Sequence, residues 1–417
     1  MPTASSPAAR SSSRIPELDG LRGLAILVVL LSHYFAGSGH MALPSALRQV
    51  VSATSIGWSG VDLFFVLSGF LIGGILLDAR SAPHYFRAFY MRRIFRIFPI
   101  YYLWISLFAV FALLSLAGLP FPVAVHREDL LQIPVQLAFL QNLQFTAYEF
   151  PYLWFVVTWS LAVEEQFYLL APPLIRFLSH RRLLAVLAAT ICVAPFIRLY
   201  VFYHIAPGTF AAAYLLPCRA DTLACGIFLA AAWREPRFHA LIQRRRRALQ
   251  LVLAALSLGV ILALHSLIGP LTLLRATLGY SWFAFLYSAL LILVLSNTGG
   301  WLAAAMRSAP LRALGLVSYC VYIIHFPIHQ FIHRILLHAP PQIDSLPGVL
   351  VTLLGVLLTL LLAALSWRFF ESPLLRRGHL YAYGPASTPG SAAGAIRGVD
   401  PAISDAPPSA FPGAARS

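Results

Sequence analysis

Apolar residues fill this chain in blocks of about twenty, separated by short polar stretches, from residue 15 to residue 377. A helix rising 1.5 Å per residue needs about twenty apolar residues to cross a hydrocarbon core of about 30 Å. Eleven blocks qualify, at roughly 20–37, 56–77, 97–118, 130–145, 153–178, 183–204, 211–233, 248–268, 272–295, 314–337 and 348–370. The pattern predicts an all-α, polytopic integral membrane helix bundle. One block is weaker than the rest: "LLQIPVQLAFLQNLQF" contains Pro134 and several amides, which suit an interfacial or re-entrant helix better than a crossing. About ten transmembrane helices plus that one segment are therefore expected. Residues 1–14 and 378–417 lack apolar periodicity and are rich in Ala, Pro, Gly and Ser, so both are expected to be disordered tails around one membrane domain, 15–377.

Composition agrees, since 59% of the 417 residues are hydrophobic and only 11% charged, against roughly 25% charged in soluble domains. The net charge of +15 would suit a nucleic-acid partner. Its distribution points elsewhere, because the 30 basic residues, all arginine, fall mainly in short loops between apolar blocks. Clusters at Arg10/Arg14, Arg80 to Arg96, Arg176 to Arg182, Arg234 to Arg247, Arg307/Arg312 and Arg376/Arg377 follow the positive-inside rule. Ten crossings place all of them, and both termini, on the cytoplasmic side. A cleaved signal peptide is disfavoured by Glu17 and Asp19 just ahead of the first apolar block. The four cysteines (Cys192, Cys218, Cys225, Cys320) show no CxxC or His/Cys ligand spacing and read as small buried residues.

Ionisable residues inside these blocks are the candidate chemistry, because a charge at the bilayer centre costs roughly 2.5–3.5 kcal/mol even on lenient scales. Arg22 and His33 share the first block; eleven helical steps make three turns plus about 20°, so they lie on one face about 16 Å apart. Asp62 sits in "GVDLFFVLSGF", Glu164 and Glu165 in "WSLAVEEQFYLL", and Arg219 with Asp221 in "CRADTLACG". Buried carboxylates need a cation or a proton. Glu164 and Glu165 point about 100° apart. Glu164 is then free to reach a polar cavity, while Glu165 pairs with Arg219 or Arg198; which of the two is catalytic stays open. Arg92, Arg93 and Arg96 in "YMRRIFRIFPIYY" are either lipid-phosphate anchors or a fork for the phosphates of a cytosolic cofactor. His325, His329 and His333 recur every four residues, but without HExxH or cysteine partners they suit the outer rim of a cavity better than a metal. The chain has no P-loop or GxSxG elbow, and Ser68 lacks the strand-turn-helix setting of an esterase nucleophile.

The stretches "ELDGLRGLAILVVLLSH", "GVDLFFVLSGFLI", "RRIFRIFPIYY", "WSLAVEEQFYLL", "CRADTLACG", "SYCVYIIHFP" and "FFESP", in this order over residues 17–373, resemble the integral-membrane acyltransferase family 3. That family contains bacterial O-antigen and exopolysaccharide O-acetylases and macrolide acylases. The resemblance implies transfer of an acyl group, usually acetyl from acetyl-CoA, to a hydroxyl of a carbohydrate-containing acceptor, in the inner membrane of a bacterium. It maps the family's Arg-ten-His motif onto Arg22 and His33, and its Arg-x-x-Arg motif onto Arg93 and Arg96. Some members append a hydrolase-like domain after the last helix. Here about 40 low-complexity residues follow instead, so acceptor handling is expected to fall to the membrane domain or a partner.

A sugar hydroxyl needs a base, and His33, with an unperturbed pKa near 6.5, suits that role. Asp62 or Glu164 is expected to orient its ring, and Arg22, Arg93 and Arg96 to bind the phosphates of acyl-CoA. No metal is expected; a homo-oligomer is compatible with the sequence. A covalent acyl-His33 variant, a non-catalytic acceptor-binding member, and a transporter or flippase for a glycolipid or small molecule are the rival readings.

Overall fold

The protein, seen in a computed structural model, is described for residues 15–384 apart from 41, 120, 122–124, 145–153, 208–210 and 264–271. The expected tails 1–14 and 378–417 lie outside the described residues except for 378–384, where a short helix, Ser372–His379, runs past the expected boundary. Ten long helices carry the fold: α1 (Pro16–Leu31), α2 (Gly60–Asp78), α3 (Tyr85–Leu116), α4 (Trp159–Phe177), α5 (His180–Tyr200), α6 (Leu216–Ala232), α7 (Arg246–Leu262), α8 (Tyr280–Ser296), α9 (Ala309–Leu337) and α10 (Leu346–Ser366). Their starts follow sequence signals. Proline occupies the first turn of α1, α6, α9 and α10, where its missing N–H costs nothing, and Ser179 and Ser345 cap α5 and α10.

Eight of the ten, taken with their flanking turns, are long and apolar enough to cross a membrane. The other two expected crossings are α4, which carries Glu164, Glu165 and Arg176, and α7, with 17 residues. Exposed leucines such as Leu353, Leu357 and Leu361 on α10 give the bundle an apolar exterior suited to lipid.

Helix direction alternates along the chain. At one end Arg307 pairs with Glu17 (2.7 Å), Arg234 with Asp78 (2.7 Å), Arg92 donates to the carbonyl of Tyr381 (2.9 Å), and Arg80 donates to the carbonyl of Leu178. These contacts gather the starts of α1, α3 and α9 with the ends of α2, α4, α6 and α10. The arginine clusters among the described residues thus share one end of the bundle. At the other end the loops after α1 and α9 meet, where Gly39 and Ile343 exchange backbone hydrogen bonds with Pro341 and Gly39.

Two helix pairs approach backbone to backbone through glycine, as membrane helices do where small residues allow it. A Cβ on Gly23 of α1 would sit 1.8 Å from the carbonyl oxygen of Leu311 on α9, and one on Gly69 of α2 would sit 2.1 Å from that of Leu223 on α6.

The weak block at 130–145 forms two short helices, Gln132–Leu137 and Gln141–Gln144, with Phe139 between them at φ 53°. Its amides bind protein rather than lipid. Gln136 accepts from Tyr101 (2.8 Å), Gln141 donates to the carbonyl of Thr158 (2.8 Å), and Gln166 donates to Asn142 (2.8 Å). Two boundaries differ from expectation. α3 starts at Tyr85, so Arg92, Arg93 and Arg96 belong to the helix itself, which continues through Pro99. The first crossing ends in a π-helical turn, Ser32–Ala36, which holds His33.

Candidate active site

Helices α1, α2, α3, α4 and α9 surround a narrow cavity with about 110 Å³ of room for water-sized groups. α1 contributes Arg22, and α3 contributes Arg93 and Arg96, which share a face because they are three residues apart. α4 contributes Ser160, Glu164 and Tyr168, on one face at four-residue intervals. α9 contributes Ser318, Tyr319 and Tyr322, while α2 supplies Ser68 and apolar walls such as Phe65 and Ile72. Three guanidinium groups on two helices therefore face one hollow.

The polar wall is partly organised by its own hydrogen bonds. Ser68 and Tyr168 hydroxyls lie 2.8 Å apart, and Tyr168 donates to Glu164 (3.3 Å). The Tyr322 hydroxyl donates to the carbonyl of Val157 (3.0 Å) and lies 2.6 Å from that of Ser160. Arg93 stands over the rings of Phe89 (6.0 Å) and Tyr168 (5.9 Å). Its buried Nε has no hydrogen-bond partner among the described residues. An unsatisfied guanidinium N–H beside two further arginines suits an anionic ligand.

His33 is not among the residues that line this cavity. Its Nδ1 is 2.7 Å from Nε2 of His325, with the two ring planes 14° apart and the ring centres 5.0 Å apart. Nδ1 of His325 faces the carbonyl oxygens of Tyr322 (2.8 Å) and Val321 (3.0 Å). Tyr322 joins the two regions, lining the cavity while its ring sits 5.9 Å from that of His325. Against expectation, neither Asp62 nor Glu164 is the group bonded to the imidazole of His33.

Asp62 is bonded elsewhere because a closer cation claims it. It forms an ion pair with Arg219 at 2.6 Å, both side chains fully buried, and Arg219 also stands 4.0 Å over the ring of Tyr280. Asp221 pairs with Arg198 at 3.0 Å, again buried, and Arg198 also donates to the carbonyls of Cys218 and Thr277. Glu165 thus finds both of its expected arginine partners engaged with aspartates. Its Oε1 is buried without a hydrogen bond among the described residues, and Glu165 is absent from the cavity wall.

His329 and His333 also depart from the expected cavity rim. Both approach the hydroxyl of Thr352 on α10 (3.5 and 2.9 Å), and His329 stacks on Tyr34 at 4.2 Å. Among the described residues no cluster of His, Cys, Asp and Glu is arranged to hold a metal ion. Two residues not singled out from the sequence for this chemistry, Tyr322 and His325, link the cavity to His33. With Ser318 they recur at i, i+4 and i+7 on α9, a polar stripe on an apolar helix that marks them.

A family model described as an acyltransferase domain, acyltransferase family 3, matches residues 15–368. Peptidoglycan O-acetyltransferase OatA of Listeria monocytogenes is 26% identical over 389 residues, covering 89% of this chain and 57% of the relative. O-acetyltransferase OatA of Staphylococcus aureus is 27% identical over 375 residues, covering 87% and 58%. The chain spans somewhat more than half the length of these relatives. No solved structure matches it. With the family model covering most of the chain and every long helix within its limits, the chain belongs to the membrane-bound acyltransferase family 3.

Proposed function

We propose that this protein transfers an acetyl or other acyl group from acyl-CoA to a hydroxyl of a carbohydrate-containing acceptor, with His33 as general base. The observation that carries the reading is the convergence of Arg22, Arg93 and Arg96 on one cavity, joined through Tyr322 to the histidine pair. The names of the relatives point to peptidoglycan as the acceptor class. By the positive-inside rule the arginine-rich end faces the cytoplasm of a bacterium, which supplies acyl-CoA. Arg93 and Arg96 lie in the part of α3 nearest that end.

The chemistry follows from the groups present. His33 removes the acceptor's hydroxyl proton as the oxygen attacks the thioester carbonyl, forming the C–O bond. Collapse of the tetrahedral intermediate breaks the C–S bond, and protonated His33 returns the proton to the departing thiolate. Arg93, Arg96 and Arg22 hold the phosphates and orient the thioester, which converts a bimolecular encounter into a positioned one.

The test uses the purified protein in lipid nanodiscs with labelled acetyl-CoA and a peptidoglycan disaccharide. Wild type is expected to move label to the sugar, and His33→Ala to lose at least about 10²-fold in kcat with unchanged abundance and melting temperature. Transfer by His33→Ala at the wild-type rate overturns the proposal.

A further inference from the structure

We infer that His325 is a positioning residue that holds His33 as the tautomer protonated on Nδ1, leaving Nε2 as the atom that takes the acceptor's proton. The inference rests on the general-base reading above and deepens it. It begins at the far side of His325. Nδ1 of that ring faces two carbonyl oxygens, of Tyr322 at 2.8 Å and Val321 at 3.0 Å, and both can only accept. Nδ1 of His325 therefore carries a hydrogen and donates it.

A neutral imidazole with hydrogen on Nδ1 has a bare Nε2. That Nε2 lies 2.7 Å from Nδ1 of His33, so His33 must donate from Nδ1. His33, neutral in its turn, is left with its lone pair on Nε2. The opposite tautomer would press a bare nitrogen of His325 against two oxygen lone pairs. Carbonyls of α9 thus set, through two rings, which atom of His33 is basic.

The surroundings hold both rings in place. The His33 and His325 rings lie nearly parallel with centres 5.0 Å apart, and His33 meets Phe326 edge-on at 5.5 Å. His325 is fully buried, and the Tyr34 hydroxyl donates to its carbonyl at 3.0 Å. When His33 Nε2 accepts a proton, the same Nδ1–H still points at His325, so nothing reorients during the reaction. A neutral histidine stabilises the resulting imidazolium less than a carboxylate would, which favours return of the proton to the thiolate.

Two measurements test this on the protein in bilayers. The first is ¹⁵N solid-state NMR of histidine-labelled protein, with the His33 signals assigned by their loss in His33→Asn. The expected spectrum has a bare Nε2 and a protonated Nδ1 on His33; a bare Nδ1 overturns the inference. The second compares His325→Leu with His325→Gln, whose amide can accept from His33 while donating to the carbonyls. With labelled acetyl-CoA and a peptidoglycan disaccharide, His325→Leu is expected to lower kcat by about 10²-fold or more at nearly constant KM for acetyl-CoA. His325→Gln should recover at least about tenfold of that loss. A leucine variant with wild-type kcat, or a glutamine variant no better than leucine, contradicts the assignment. Should the leucine variant fold poorly, the wild-type spectrum decides alone. Loss of activity in His33→Ala together with indifference at position 325 would sink this inference and leave the base reading standing; activity in His33→Ala would sink both.

Discussion

Replacing Gly23 with alanine is expected to displace His33, the proposed base, ten positions away. The new methyl would lie 1.8 Å from the carbonyl oxygen of Leu311, 2.7 Å from its carbon and 3.1 Å from its Cα. These are backbone atoms, so no rotamer change relieves the clash. Reaching even 3.0 Å requires α1 and α9 to part by about 1.2 Å. The His33–His325 hydrogen bond, 2.7 Å long, spans the same helix pair about 15 Å further along. If the helices part without tilting, it stretches past the roughly 3.5 Å at which a hydrogen bond ceases to count. A misplacement of about 1 Å costs on the order of 10²-fold in rate, and overpacking costs about 1–3 kcal/mol in stability. The assay is kcat for labelled acetyl transfer in nanodiscs beside a thermal melt. Gly299→Ala serves as control, because a Cβ there meets nothing within 4 Å. A Gly23→Ala protein with kcat close to wild type would refute the claim that this glycine contact sets the histidine geometry.

Arg219→Leu strands Asp62 as a buried, unpaired carboxylate, so it should destabilise the protein by about 3–5 kcal/mol, while Asp62→Leu with Arg219→Leu recovers most of that loss. Equal melting temperatures for the single and double variants would contradict the pairing role. Arg93→Ala and Arg96→Ala should each raise KM for acetyl-CoA by about tenfold or more, the usual worth of a charge-assisted hydrogen bond. Reduced abundance with unchanged KM would instead return these arginines to a membrane-anchoring role.

Architecture was legible because the bilayer imposes one length on every crossing, and alternation of arginine-rich loops then fixes direction. Hence a long helix falls on each of the ten expected blocks, eight of them long and apolar enough to cross a membrane, and the proline and amides of 130–145 marked a segment that forms short helices instead. The arginine cavity was partly legible, since Arg22, Arg93, Arg96 and Glu164 do share it. The pairing of charges was not. Periodicity places a side chain on a face but does not say which neighbouring helix that face meets, so Asp62 was offered to His33 although Arg219 lies 2.6 Å from it. His325 was grouped with His329 and His333 as one polar row at the outer rim of a cavity. In the fold, a π turn brings His33 onto the first of them, and Thr352 takes the other two.

The central claim, that one hollow delivers a phosphate-bearing acyl donor to His33, is tested most directly by a cryo-EM structure of the protein in nanodiscs with a non-hydrolysable acetyl-CoA analogue. The account predicts phosphates against Arg93 and Arg96 and the acyl carbonyl beyond Tyr322, within reach of Nε2 of His33. An analogue bound at the opposite end, or one whose carbonyl lies away from His33 while the phosphates avoid both arginines, would contradict it.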